Sequence, residues 1–175
     1  MAFTSNAFIT SNNQLKTILY KCSSCYKLMN NGKNIFHFSK LLELKLYKKN
    51  FKTCIILNIT KKNSDAIGHW ILICINFTLN CAIIYDPLNI LTKSISQNID
   101  IFCKTNRLKR HDFSFRTQQL KSKSCGLHCI YFIHVWHSHN FSTKFMIQDL
   151  KTLFKKYSLK NIEKHILKNV ISNLK

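Results

Sequence analysis

Apolar residues follow two rhythms along this chain. Phe51–Asn58 (FKTCIILN), Trp70–Phe77 (WILICINF) and Cys81–Tyr85 (CAIIY) are short, rich in β-branched residues and nearly unbroken. That pattern predicts buried strands. Only Thr78–Asn80 separates the last two, so they are expected to form a hairpin, and Asp86-Pro87 ends the second strand. Elsewhere the apolar positions recur every three to four residues. A helical patch is predicted over 14–21, a short helix over 36–47 and a further helix over 90–104. Gly126–His137 is apolar almost throughout, as a buried helix would be. Two amphipathic helices are predicted over 143–156 and 159–174, with Ser158 as a cap between them. Residues 113–116 read as a short strand. The fold class is therefore α+β: a small mixed or antiparallel sheet packed against the 126–137 helix, with further helices after it.

Composition bounds the domain count. A chain of 175 residues that is 46% hydrophobic suits one compact domain over 1–175, and a single proline leaves no visible linker. The Asn/Ser-rich residues 1–35 are expected to be a loosely ordered N-terminal segment. No stretch reaches the ~18 apolar residues of a membrane span. The first 20 residues lack the basic and apolar regions of a secretory signal. The eight cysteines are then read as thiols of a reducing, intracellular compartment. Cys54, Cys74 and Cys81 sit in apolar runs, as small buried hydrophobes do. Charge changes the picture more. Lysine and arginine number 27 against seven acids, net +20, so the chain should be drawn to polyanions. An AT-rich coding bias would supply lysine but would not remove acids. Their scarcity allows each carboxylate to be weighed singly.

Cys125 stands where a polar loop, QQLKSKS, meets the apolar helix. A helix N-terminus offers unpaired amides and a dipole that favour an anion such as a thiolate. Gly126 permits close approach of a substrate. A thiol nucleophile needs a base. His128, His134, His137 and His139 follow on the same helix, and most point away from its start. His37, His111 and His165 have no distinctive context. His69 stands between a glycine-ended loop and the Trp70 strand. An imidazole base in turn needs an acceptor for its other nitrogen. Antiparallel pairing would bring Asp86, at the end of the second hairpin strand, beside His69 at the start of the first. Glu43, Asp65, Asp100, Asp112, Asp149 and Glu163 have no such link. Two other chemistries compete. Cys22-Ser-Ser-Cys25 with His134, His137 or His139 is half of a zinc pattern, too weak for a metal to be assigned. A basic nucleic-acid-binding protein without catalysis would explain the charge, but no nucleic-acid-reading motif is present.

Together "GHWILI", "YDPLN" and "QQLKSKSCGLHCIYF" resemble the adenain-like cysteine proteases. That clan takes in the adenovirus protease, its relatives in virus-like transposons and the SUMO-specific proteases. The resemblance covers about Phe51 to Trp136. It implies that Cys125 is the nucleophile, His69 the general base and Asp86 the orienting acid. It also implies an oxyanion-hole glutamine. Gln118, seven residues before the cysteine, is the adenain spacing, and Gln119, at six, is that of the SUMO proteases. Asn89 stands where a glycine is common, and Leu120-Lys121 where Pro-Asn is found. The implied activity is a cysteine endopeptidase. The implied protein substrate is a viral or virus-like structural precursor, and the alternative is a ubiquitin-like modifier. No cofactor is implied for the chemistry itself. DNA or another polyanion is implied as activator, with Arg107, Lys109, Arg110, Lys121 and Lys123 as phosphate contacts that read no sequence. The same resemblance implies an activating peptide, which in adenain is joined by a disulfide to a cysteine before the nucleophile; Cys103 lies in that region but matches no motif that carries the role over to it. Residence in the host nucleus and virion is implied as well.

Overall fold

The computed structural model describes residues 12–44, 46, 52–59, 68–113, 115–120 and 122–172. Its sheet is mixed, with five strands in the order β1 (Ile35–His37), β2 (Lys52–Asn58), β3 (Trp70–Asn76), β4 (Cys81–Tyr85) and β5 (Lys109–Phe113). The three central strands are antiparallel neighbours and the two edges pair parallel. β3 is buried along its whole length, because both faces of the sheet are covered. Trp70, Leu72 and Cys74 point to one face, with Ile83, Tyr85 and Phe113. Ile71, Ile73 and Ile75 point to the other, with Ala82 and Ile84. This period-two alternation splits one apolar run between two cores. Each fully buried Ile or Leu contributes roughly 1.5 to 3 kcal/mol.

Most of the helices lie on the first face: α1 (Asn12–Lys21), α2 (Ser23–Leu28), α4 (Cys125–Ser138), α5 (Thr143–Lys156) and α6 (Leu159–Ser172). On the second are α3 (Lys93–Thr105) and a 3-10 helix, Phe38–Glu43. α4 packs directly on β3, which is why its first nine residues are all buried. No helix among the described residues is long and apolar enough to cross a membrane.

The α+β class and the hairpin hold, and three details change. Where a helix over 36–47 is expected, the chain forms β1 and the 3-10 turn. Leu41 alone of its four leucines is buried among the described residues, too little for a helical stripe. The fifth strand runs from Lys109 to Phe113 and not over 113–116. It is an edge strand with only Phe113 turned into the core, so its apolar signal is nearly silent. Of the N-terminal segment expected to be loosely ordered, residues 1–11 lie outside the described residues, and α1 is built into the core: Leu15, Ile18 and Leu19, spaced three and four apart, are buried.

Candidate active site

Three elements deliver three side chains to one point. The β3–β4 register pairs Leu72 with Tyr85, so the residues before β3 lie beside those after β4. His69, just before β3, meets Asp86, just after β4, with Nε2 2.5 Å from Oδ1. Asp86 is buried and held in a turn. Its Oδ1 accepts the Leu88 amide at 2.9 Å and its Oδ2 the Ile90 amide at 2.8 Å. Asn89, where a glycine is common, takes a left-handed φ of 54° in that turn. Asparagine is among the few residues that adopt it at low cost.

A carboxylate can only accept, so Nε2 of His69 carries its proton and Nδ1 is left for the thiol. Nδ1 is buried and has no partner at ordinary hydrogen-bonding distance. The Cys125 thiol is nonetheless close enough to act on the ring electrostatically. Burial disfavours the imidazolium, but the Asp86 bond and Cys125 outweigh it and raise the His69 pKa to about 9. Burial likewise works to raise Asp86, and the His69 bond, its charge and the two amides hold it below the usual carboxylate value. Cys125 is the first residue of α4, and its Sγ lies 3.8 Å from the Gly68 carbonyl. Ser124, the N-cap, makes no side-chain cap there, so the positive end of the α4 dipole lies at the Cys125 side chain. Gly68 is tightly placed: a Cβ there would come within 2.5 Å of the Asn58 side chain.

The loop before Cys125 is anchored at four points. Thr117 and Gln118 donate their amides to the Pro87 carbonyl at 2.9 and 3.1 Å. The Thr117 hydroxyl joins Tyr85 at 2.5 Å and His128 Nδ1 at 2.9 Å. Burial pulls His128 down to about 4, despite the charge of Glu163, so this histidine is a neutral packing group. Gln118 is fully buried, and its Nε2 donates to the Ser122 carbonyl at 2.6 Å. One Nε2 hydrogen remains. Gln119 is turned the other way and donates to Glu163 on α6 at 3.0 Å. Glu163 also accepts from the Ser122 and Ser124 hydroxyls. Sequence reasoning missed Glu163. It lies about 40 residues from the loop it holds, and its only signal was a carboxylate on the apolar side of an amphipathic helix.

The basic residues are less concentrated. Arg110 is committed to Asp100 at 3.0 Å, Asp112 at 2.9 Å and the Ser96 hydroxyl and carbonyl. Arg107, Lys109 and Lys123 are exposed, and Lys121 lies outside the described residues. Cys103 is buried, and that burial pushes its thiol to about 11. The family model of the Ulp1 protease family, C-terminal catalytic domain, matches residues 48–170, a span that includes His69, Asp86, Gln118 and Cys125. No curated protein matches the chain.

Proposed function

Since the chain belongs to the Ulp1 protease family, we propose that Cys125, His69 and Asp86 form the triad of its cysteine-protease site. The observation that carries this reading is the His69–Asp86 bond of 2.5 Å set against the Cys125 thiol. Cys125 Sγ attacks the scissile carbonyl carbon. Its proton, held on His69 Nδ1 as the raised pKa of the ring favours, passes to the departing amine, leaving an acyl thioester. Water then adds to the thioester, gives its proton back through His69 and releases the acid. Asp86 keeps the ring oriented throughout. The remaining Gln118 Nε2 hydrogen and the Cys125 backbone N–H serve the oxyanion.

The substrate we favour is a viral or virus-like structural precursor, cleaved after small residues such as glycine. Its support is the glutamine spacing. Gln118, seven residues before the cysteine, is the buried one, whereas Gln119 is spent on Glu163. Deconjugation of a ubiquitin-like modifier is the second reading, favoured by the Ulp1 match itself. Two assays separate them. Cleavage sites are mapped by mass spectrometry in a peptide library, and turnover is measured on C-terminal fluorogenic conjugates of ubiquitin-like proteins. Efficient turnover of the conjugates with no cleavage of short internal sites would replace the precursor reading. A substrate-like electrophile should label Cys125 and leave Cys125→Ala unmodified. Equal labelling of the other cysteines would remove Cys125 as the nucleophile.

A further inference from the structure

Away from the triad, the tertiary structure gathers three ligand-type side chains from two distant parts of the chain. The ligand atoms of Cys22, Cys25 and His134 all lie within 4.8 Å of one another. Cys22 is the residue before α2 and Cys25 lies in its first turn, so the two thiols are one helical turn apart on one side. His134 comes from α4, against which α2 packs. Cys25 is fully buried, while Cys22 and His134 are half-buried at the edge of the same core. None of the cysteines is in a disulfide.

We propose that Cys22, Cys25 and His134 bind one zinc ion, with a solvent molecule as fourth ligand, and that this ion clips the N-terminal helices to the catalytic helix. Two sulfurs and an imidazole are a donor set suited to zinc and ill-suited to hard cations. Bonds of about 2.3 Å to sulfur and about 2.0 Å to nitrogen place tetrahedral donors roughly 3.5 to 3.8 Å apart. The 4.8 Å limit here is therefore closed by side-chain rotation of about 1 Å. On binding, both thiols lose their protons to solvent and His134 ligates as the neutral ring. The two thiolate charges cancel those of the ion, so the half-buried position carries no net charge. Cys22 and His134 are partly exposed, so solvent can reach the ion. Among the described residues no fourth His, Cys, Asp or Glu joins the group.

The role is structural. His134 is nine residues after Cys125, which on an α-helix is about 13 Å along the axis and half a turn around it. The ion is thus remote from the nucleophile. It joins segments more than 100 residues apart in sequence. Closing so long a loop removes much of the freedom of the unfolded chain, and the ion adds to the apolar packing that already holds α1 and α2 against α4 and the sheet.

The test uses the full chain with Cys125→Ser, so that the triad thiol cannot hold metal. Zinc per chain is measured by mass spectrometry after purification under reductant. Cobalt is then titrated into chelator-stripped protein and followed by its thiolate charge-transfer and tetrahedral visible bands. One equivalent of zinc and those bands are expected. Both should vanish in Cys22→Ser/Cys25→Ser. His134→Ala should weaken cobalt binding by more than the roughly 10- to 100-fold that loss of an outer-shell partner costs. Zinc well below one equivalent, or zinc retained in the double serine variant, overturns the site. So does a Cys22–Cys25 disulfide recovered without metal. If the double variant does not fold, His134→Asn decides by the same cobalt titration, and unchanged affinity there rejects the proposal.

Discussion

His69 is the residue on which the site's chemistry turns. Replacing it with alanine should lower kcat by about 10²- to 10⁴-fold, the usual worth of a positioned acid–base group. Asp86→Asn should cost less, because Asp86 orients the ring and exchanges no proton with the substrate. A variant of Asp86 with full turnover would remove it from the triad. Gln118→Ala should lower kcat about 10²-fold with KM little changed. A larger loss for Gln119→Ala would move the oxyanion role, and the substrate reading with it. The His69 pKa also makes a stability claim. It is about 6.5 in the unfolded chain and about 9 in the fold, so folding takes up a proton between those values. The stabilisation is complete below pH 6.5 and is lost as pH rises through 9, a difference on the order of 3 kcal/mol. Asp86 runs the other way: its lowered pKa stabilises the fold at neutral pH, and that contribution goes as acid protonates it. Denaturant midpoints should therefore fall between pH 6.5 and 9, and fall less in His69→Ala. Parallel curves for the two proteins would contradict the assignment.

At the scale of elements, the catalytic helix is placed by β3 beneath it and by α6 beside it. Among the described residues, α6 holds the loop ahead of Cys125 through Glu163, which gathers Gln119, Ser122 and Ser124. Glu163→Gln keeps the shape but turns a donor toward at least one of these donors. A buried polar mismatch of that kind costs roughly 1 to 3 kcal/mol. The expected result is a lower melting temperature together with a fall in kcat at little-changed KM, because the loop ahead of Cys125 shifts. A purely structural role would lower the melting temperature and leave kcat intact at temperatures where the protein is folded. The hairpin shows how far such placement is visible in advance. β3, β4 and the two residues that flank them follow from unbroken apolar runs and a three-residue turn. β5 and β1 do not, because edge strands with one inward side chain carry almost no pattern.

For the whole molecule the +20 charge is the outstanding property. We propose that DNA or another polyanion binds without sequence preference and raises turnover. Lys123 lies in the loop before Cys125, whereas Arg107 and Lys109 lie at the other end of the sheet, where Lys109 pairs with Cys81 and donates its amide to Asn80. Arg110 is less available, since its guanidinium already serves Asp100 and Asp112. Neutralising about six phosphates should cost ~10³-fold in affinity between 50 and 200 mM salt. Titration of unrelated duplexes at both salt concentrations, with peptide cleavage followed, checks this. No binding at 50 mM would assign the lysines to solubility alone. Cys103 is buried and its thiol is pushed to about 11, so a peptide joined there by a disulfide would first need that thiol exposed.

What the sequence alone determined is local. Unbroken apolar runs dictate the central strands. A polar loop against an apolar helix marks Cys125. Antiparallel pairing across a short turn joins His69 to Asp86. Each of these needs only neighbours in the chain, or the fixed geometry of a hairpin. What tertiary structure alone decided is which distant groups meet. It buried Gln118 and turned Gln119 away, a choice that two adjacent glutamines cannot disclose. It chose Glu163 from seven carboxylates and brought it to a loop about 40 residues away. From three helix histidines it chose His134 to stand with Cys22 and Cys25. Those choices follow from helix rotation and packing against the sheet, which depend on every contact in the core and leave no periodic trace in the residues they select.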